Sequence, residues 1–224
     1  MNRLECIKSM VDKCRTAADI GTDHGYVAEM LLKEGICEKV IATDLNEGPL
    51  NRAMEHLTSA KLKDKCDFRL GSGLTVLGEG EADAIIIAGM GGDLISEVIE
   101  TSKDVAMKAR QLILQPMTAV DNLRRYLTEN GFKIIDENIV REYHHFYFII
   151  KAKKGNTKKE DDIYYEISKI ILNKREPLMS DYIHRVLNTN EKIISSLEKE
   201  KNVEYNEKIE SLKQKNRKIR ELIK

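Results

Sequence analysis

The stretch Thr16–Tyr26 constrains the fold of this chain more than any other part of the sequence. It begins with small and apolar residues, reaches an acid at Asp19, and continues through two glycines, Gly21 and Gly25. Residues 26–33 then show the apolar spacing of a helix. A strand, a glycine-containing turn and a helix in this order are typical of a nucleotide-type cofactor site in a doubly wound α/β domain. Glycine suits such a turn because the chain must bend sharply and a cofactor must approach bare backbone.

The spacing of this turn differs from the dinucleotide-binding sequence G-x-G-x-x-G. In a dinucleotide site the second glycine would occupy the position of Asp23, where a carboxylate repels a pyrophosphate. An acid suits a cofactor that carries positive charge, and S-adenosylmethionine carries an ammonium and a sulfonium but no phosphate. A tight turn without any ligand is the alternative interpretation of this motif when it is taken alone.

A second acid strengthens the prediction of a cofactor site. Residues 39–44 form a second predicted strand, and Asp44 at its carboxyl end lies 19 residues after Gly25. An open α/β site places at this point the acid that accepts hydrogen bonds from both ribose hydroxyls. Asp44 could instead cap the helix that follows, although Asn46 and Glu47 could serve that role as well.

Two further glycine-containing loops follow predicted strands. Strand 65–70 leads into Gly71–Ser72–Gly73, which either allow an adenine ring to approach the backbone or form a plain flexible turn. The apolar strand 83–88 leads into Gly89–Met90–Gly91–Gly92. Because ligands in open α/β sheets lie beyond the carboxyl ends of the strands, we expect the target group to meet the cofactor at this loop. Asp93 follows and is interpreted first as a helix cap, with catalysis as the alternative.

Strands and helices alternate up to residue 131, and two β-rich runs then follow at 132–140 and 143–151. Only Arg141 and Glu142 separate these runs, which predicts an antiparallel hairpin. The sequence therefore predicts a Rossmann-like α/β domain with a seven-stranded, mostly parallel sheet and one antiparallel strand inserted near its edge. His144 and His145 are adjacent in this hairpin, so they would face opposite sides and are not expected to bind one metal ion together.

The chain from residue 155 onward has the pattern of a helical appendage. Apolar residues recur in steps of three and four with charges between them, which is typical of a narrow coiled-coil stripe. A break near Lys201–Asn202 predicts two helices folded back as an antiparallel hairpin. We therefore predict two domains, at residues 1–154 and 155–224. The last twelve residues carry six bases, including Lys224, and one acid, which suits either a solvated helix face or contact with nucleic-acid phosphates.

Composition adds a few limits on function. The formal net charge is zero, so bulk charge predicts no particular class of partner. The four cysteines show no C-x-x-C spacing, and no metal site is predicted. Neither a signal peptide nor an apolar run of about 18 residues is present, so we expect a cytoplasmic protein with reduced thiols and no membrane segment. A monomer is the simplest expectation, although the sequence does not decide the oligomeric state.

Several motifs together resemble the bacterial tRNA adenine-22 N1-methyltransferases. These motifs are Asp19–Tyr26, Gly89–Gly92, Gln115–Pro116 and the helical tail, so the resemblance covers essentially the whole chain. It implies a class I S-adenosylmethionine-dependent methyltransferase with a coiled-coil tail that helps to hold tRNA. It also implies that the methyl acceptor is N1 of an adenine in the D-arm region of tRNA.

The resemblance implies roles for individual residues as well. By position, the first glycine loop would hold the methionine part of the cofactor, Asp44 the ribose, and the loop after the third strand the adenine. The hydrogen bond to the adenine amino group is left open between Ser72, the backbone and Asp67. The predicted cofactor-binding residues are Asp19, Gly21, Thr22, Asp23, His24, Gly25, Asp44, Leu45, Gly71, Ser72, Gly73 and Gly89. The predicted catalytic residues are Gly89, Met90, Gly91, Gly92 and Asp93. The bases at the end of the tail that are predicted to bind tRNA are Lys213, Lys215, Arg217, Lys218 and Arg220.

Other classes of function compete with this interpretation. A nicotinamide-dependent oxidoreductase would share the fold, but Asp23 and the terminal hairpin argue against it. A non-catalytic assembly protein would explain the coiled coil but would leave three glycine loops at strand ends unexplained. A methyltransferase that acts on another RNA, a protein or a small molecule is the remaining alternative.

Overall fold

The computed structural model describes residues 1–158, 160–200 and 202–223. The described residues divide into two compact units, Met1–Lys159 and Glu160–Lys224. The domain boundary between residues 154 and 155 stays a prediction. Lys201, which belongs to the predicted helix break, and Lys224, which belongs to the basic end, lie outside the described part of the chain.

The first unit consists of seven strands and six α-helices within the described residues. The strands are β1 (Cys14–Ile20), β2 (Cys37–Asp44), β3 (Cys66–Leu70), β4 (Ala84–Met90), β5 (Gln111–Pro116), β6 (Phe132–Glu142) and β7 (His145–Lys154). The helices are α1 (Arg3–Ser9), α2 (Tyr26–Lys33), α3 (Glu47–Ser59), α4 (Gly92–Thr101), α5 (Lys103–Lys108) and α6 (Val120–Glu129).

All seven strands belong to one sheet with the order β3-β2-β1-β4-β5-β7-β6. The strands from β1 to β5 pair in parallel, whereas β7 pairs antiparallel with both β5 and β6. The predicted Rossmann-like sheet, with an antiparallel strand inserted next to its edge, is therefore confirmed. Because parallel strands end on the same side, the loops that follow β1, β2, β4 and β5 share one edge of the sheet.

The sequence of the central strand β4 begins with an unbroken run of apolar residues. Ile85 and Ile87 belong to one buried cluster, which also contains residues of α4 and α6. Ala84 and Ile86 belong to a second buried cluster, which contains residues of α1 and α2. Helices therefore cover both faces of the sheet. Because neighbouring residues of a central strand point to opposite faces, the residues on both faces must be apolar.

The hairpin between β6 and β7 departs from the sequence prediction. Glu142 pairs with His145, so the turn lies at Tyr143 and His144. The prediction that Arg141 and Glu142 form the turn is therefore wrong by two residues. Tyr143 adopts a left-handed φ of 54°, which is uncommon for an aromatic residue and gave no turn signal in the sequence. Because β7 runs antiparallel to β5, this turn lies at the same edge as the carboxyl ends of the parallel strands.

The second unit is helical throughout its described secondary structure. It contains α7 (Ile163–Glu166), α8 (Lys169–Lys174), α9 (Pro177–Glu200) and α10 (Asn206–Glu221). Ion pairs join Glu198 to Lys213 and Glu191 to Arg220, so α9 and α10 run antiparallel, as predicted. The buried Asn190 amide donates to Asn216 Oδ1 at 2.8 Å where the apolar stripe is interrupted. A satisfied polar pair of this kind fixes the register of two packed helices.

Candidate active site

The loop after β1 is anchored by backbone hydrogen bonds to the end of β2. The amides of Gly21 and Thr22 both donate to the carbonyl oxygen of Thr43, at 2.8 and 2.9 Å. Gly21 has a left-handed φ of 76°, and a Cβ there would lie 2.5 Å from Cε of Met90. Glycine at this position therefore permits both the turn and close packing against the loop after β4.

Asp19 lies beneath this loop and is 6% exposed. Burial raises the pKa of Asp19 to about 6, and the nearby Thr22 hydroxyl opposes part of that shift. The carboxyl group lies near the carboxyl end of β1, within the first glycine-loop motif. A buried acid in a cofactor loop is a common functional feature, because structural cores rarely keep an ionisable group.

Asp23 is on the solvent side of the same loop. Its Oδ1 lies 2.5 Å from Nη2 of Arg52, and its Oδ2 lies 3.4 Å from Nε2 of His24. The His24 ring stacks on Tyr26 with 5.3 Å between ring centroids. Arg52 is a site residue that sequence reasoning missed, because it lies 29 positions further along the chain on α3 and belongs to no motif.

Asp44 ends β2 with one carboxylate oxygen engaged. Its Oδ1 accepts a hydrogen bond from the amide of Asn46 at 2.8 Å, and α3 begins after Asn46 as the capping residue. Within the described residues, Oδ2 of Asp44 has no hydrogen-bond partner in the protein. Leu45 next to it is 65% exposed. This arrangement leaves an acceptor and an apolar side chain available to a ligand, as the predicted ribose contact requires.

The loop after β3 is joined directly to Asp44. The amide of Gly71 donates to the carbonyl oxygen of Asp44 at 2.9 Å, so Gly71–Gly73 lie beside the predicted ribose contact. Asp67, one of the alternatives for the adenine amino group, is ion-paired with Arg69 at 2.6 Å. Asp67 also lies near the amino end of β3, whereas Ser72 follows the carboxyl end, so Ser72 is the nearer of the two to Asp44 along the strands.

The loop Gly89–Gly92 lies at the end of β4, beside the loop after β1. Gly89 has a left-handed φ of 81°, and a Cβ there would meet only open space within 4 Å. Asp93 lies inside the first turn of α4, whose capping position is Gly91. Its Oδ1 accepts from the side-chain amide of Asn122 at 2.8 Å, so the interpretation of Asp93 as a helix cap is wrong.

Arg3 and Gln115 are further residues at this edge. Gln115 is fully buried at the end of β5, and its Oε1 accepts from the Gly89 amide at 3.1 Å and from Arg3 Nη1 at 2.9 Å. Gln115 is part of the Gln115–Pro116 motif, to which the sequence assigned no role. Arg3 was missed because it lies 112 positions from its partner in the sequence.

The five predicted tRNA-binding bases lie on α10 in the second unit. Four of them form ion pairs within that unit: Lys213 with Glu198, Lys215 with Glu166, Lys218 with Asp161, and Arg220 with Glu191. Arg217 has no ion pair among the described residues. Most of the positive charge is therefore already balanced locally, which the sequence count did not reveal.

The described residues include no cluster of three or more His, Cys, Asp or Glu side chains that could hold a metal ion. The four cysteines are unpaired thiols, and burial raises the pKa of Cys14 and Cys66 to about 11. In the part of the chain that the structure describes, no helix is both long enough and apolar enough to cross a bilayer.

Comparison with known proteins decides the family. The model of the family described as "Methyltransferase domain" matches residues 1–150. The chain belongs to this methyltransferase domain family.

The names of two relatives found by sequence specify a substrate as well as a reaction. The tRNA (adenine(22)-N(1))-methyltransferase of Bacillus subtilis is 34% identical over 154 residues, which are 69% of this chain and 65% of that protein. A putative tRNA methyltransferase of Mycoplasma pneumoniae is 27% identical over 158 residues, 68% of this chain and 70% of that protein. The alignment thus spans just under two thirds of the Bacillus subtilis enzyme.

Solved structures extend the likeness to the whole chain. Sp1610 of Streptococcus pneumoniae, a putative tRNA (m1A22) methyltransferase, is 28% identical with a TM-score of 0.92, and the match covers 100% of this chain and 99% of that one. The Bacillus subtilis M1A22 tRNA methyltransferase TrmK gives 26% identity and a TM-score of 0.90, with 100% and 98% covered. A complex of Sp1610 with S-adenosyl-L-methionine is 29% identical with a TM-score of 0.83, and the match covers 99% of this chain and 98% of that one. The resemblance predicted from the motifs is confirmed.

The buried carboxyl of Asp19 generates a prediction about stability. Its folded-state pKa of about 6 lies above its ordinary value of 3.8, so the folded protein is favoured at low pH and loses this stability as pH rises through 6. We expect Asp19→Asn to raise the free energy of unfolding at pH 8 by up to about 3 kcal/mol and to change it little at pH 4. Urea unfolding of the ligand-free protein at both pH values measures this difference. An Asp19→Asn protein that is less stable than the original at pH 8 would contradict the assignment.

Proposed function

We propose that this protein is an S-adenosylmethionine-dependent methyltransferase that methylates N1 of adenine 22 in tRNA. The observation that carries the proposal is the convergence of two acids and three glycine loops at one sheet edge in a chain of the methyltransferase domain family. The likeness to structures named as tRNA (m1A22) methyltransferases, one of them with S-adenosyl-L-methionine bound, supports both the cofactor and the substrate.

The residues at this edge fit the chemistry of the cofactor. Asp44 has an oxygen left for the ribose hydroxyls, and the adjoining Gly71–Gly73 would border the adenine. Asp23 offers a carboxylate to an ammonium group, and Arg52 beside it offers a guanidinium to a carboxylate, so the pair complements the methionine part. Bound S-adenosylmethionine supplies a methyl group on a positively charged sulfur.

Methyl transfer to adenine N1 places modest demands on the protein. N1 carries a free lone pair at neutral pH, so it can attack without prior removal of a proton. Catalysis then depends mainly on holding the base in line with the methyl group and on excluding water. The loop Gly89–Gly92 is suited to this task because Gly89 leaves open space at the edge and Met90 packs against Gly21. N1 lies on the pairing edge of adenine, so the base must be unpaired or turned out of its stack.

The contribution of the second unit to tRNA binding is part of the proposal. Four of the five bases on α10 already have carboxylate partners, so each would have to exchange or share a partner to contact a phosphate. Arg217 is the first candidate for a phosphate contact, because among the described residues it forms no ion pair. We place this activity in the cytoplasm, and we expect a monomer.

The direct test of this function is methylation of defined tRNA. We expect the purified protein to transfer methyl groups to an unmodified tRNA transcript with adenine at position 22 and to give no product when that base is replaced by guanine. Nucleoside mass spectrometry identifies 1-methyladenosine, and the block it causes to reverse transcription locates it. Methylation of both transcripts, of another nucleotide, or only of ribosomal RNA or protein would contradict the proposed substrate.

The ribose contact predicts a specific loss of cofactor affinity. Asp44→Ala removes an acceptor for ribose hydroxyls, and we expect it to weaken binding of S-adenosylhomocysteine by about 1–3 kcal/mol. Isothermal titration calorimetry measures the affinity. Glu47→Ala is the matched control, because it removes an acid from the first turn of the same helix without changing the strand end. Equal losses in both variants, or unchanged affinity in Asp44→Ala, would mean that Asp44 serves only the local fold.

A further inference from the structure

The first helix brings an arginine to the acceptor side of the site. Nη1 of Arg3 donates to Oε1 of Gln115 at 2.9 Å and lies 3.3 Å from Sδ of Met117. The guanidinium carbon lies 5.4 Å from the centroid of the Tyr147 ring. Gln115 lies at the carboxyl end of β5, Met117 directly follows that strand, and Tyr147 belongs to the adjoining strand β7.

Gln115 transmits this contact to the loop after β4. The pairing of β4 with β5 shifts register between Ala88 and Met90, so Gly89 is an extra residue between two regular pairs. The Gly89 amide instead donates to Oε1 of Gln115 at 3.1 Å. Bulges of this kind next to active sites redirect the chain that follows them. The side chain of Gln115 therefore supplies the contact that the strand ladder does not provide.

Arg3 is one of three groups that fix which way the amide of Gln115 faces. Oε1 accepts from both Arg3 and Gly89, while Nε2 donates to the carbonyl oxygen of Pro116 at 2.9 Å. If the amide turned over, Nε2 would face two donors and Oε1 would face a carbonyl oxygen, so all three hydrogen bonds would be lost. In a fully buried side chain such losses are costly.

The guanidinium of Arg3 is not what holds α1 in place. The helix has its own capping box between Asn2 and Glu5, and Cys6 and Ile7 are fully buried in the core. The backbone amide of Arg3 donates to Oε1 of Glu142 at 2.6 Å, a bond that does not involve the Arg3 side chain. Removing the guanidinium therefore leaves the helix docked and changes chiefly the contacts at the sheet edge.

We propose that Arg3 is a positioning residue for methyl transfer, which acts through Gln115 to set Gly89 and the loop Gly89–Gly92 against the acceptor base. This inference rests on the proposed function. It adds a residue from the first helix to the acceptor side of the site and assigns a task to the buried amide of Gln115. Arg3 itself need not touch the substrate.

The kinetic test compares Arg3→Ala, Arg3→Met and the control Arg15→Ala, which removes an exposed arginine at the opposite end of β1. Circular dichroism and thermal melting first establish that each variant is folded. We expect Arg3→Ala to lower the single-turnover rate at saturating tRNA by about 100-fold, because a small displacement of a positioning loop has effects of that size. The dissociation constant of S-adenosylhomocysteine and the KM for tRNA should change much less than the rate, and Arg15→Ala should behave as the original protein.

Two further measurements separate positioning from general stability. Free guanidinium ion at millimolar concentration should restore part of the rate of Arg3→Ala and leave Arg15→Ala unchanged. Gln115→Met should lower the rate similarly, and the double variant should be no slower than either single one, since both act through one contact. If Arg3→Ala does not fold, Arg3→Met decides: it keeps an unbranched stem but has no hydrogen-bond donor for Gln115, so a folded variant with the original rate overturns the proposal.

A readout without substrate distinguishes this inference from the proposed function. In glycine-labelled protein, Arg3→Ala should speed hydrogen exchange of the Gly89 amide and leave the Gly21 amide, which bonds to Thr43, unchanged. Unchanged exchange at Gly89 overturns the positioning link even if tRNA is methylated. A raised KM for tRNA with an unchanged saturated rate would make Arg3 a substrate contact and also overturn it. If the original protein does not methylate tRNA, the proposed function is wrong. The exchange rate of the Gly89 amide still tests whether Arg3 acts on Gly89 through Gln115.

Discussion

Parallel hydrogen bonding among β1, β2, β4 and β5 places the carboxyl ends of these strands side by side. Every residue that follows such an end then projects from the same edge, whatever its distance along the sequence. Strand direction brings three groups of residues to this edge: Asp19 to Gly25, Asp44, and Gly89 to Gly92. The site is therefore a consequence of strand direction, and the residues within each loop decide what the site can bind.

The loops are joined to one another through the ends of neighbouring strands. Amides of the first loop bond to Thr43 at the end of β2, the loop after β3 bonds to Asp44, and Gly89 bonds to Gln115 at the end of β5. Each loop thus begins from a fixed point on the adjacent strand. Such preorganisation suits methyl transfer to a nitrogen with a free lone pair, where geometry contributes more than a strong acid or base.

Local sequence patterns predicted the strands and glycine loops because those features depend on residues close together in the chain. The antiparallel insertion was also predictable, since two adjacent β-rich runs must form a hairpin. Errors arose where one residue had two plausible local roles. Asp93 looked like a cap but bonds to Asn122, and the hairpin turn fell on Tyr143, an aromatic residue in a left-handed conformation.

Contacts between residues distant in the chain could not be predicted from one sequence. Arg3 meets Gln115 across 112 positions, and Lys218 meets Asp161 across 57. The second contact changes the interpretation of the tail, because a count of bases treats a paired lysine and a free arginine alike. Charge available for a partner depends on these pairings and not only on composition.

Cofactor selection by the sheet edge is the central claim, and calorimetric titration of the ligand-free protein with S-adenosylhomocysteine and with NAD⁺ tests it most directly. Asp23 takes the place of the glycine that a dinucleotide loop needs, and together with its partner Arg52 it suits the ammonium and carboxylate of the methionine part. The account predicts micromolar binding of S-adenosylhomocysteine, about −8 kcal/mol, and no detectable binding of NAD⁺. Tight binding of NAD⁺ with none of S-adenosylhomocysteine would contradict it.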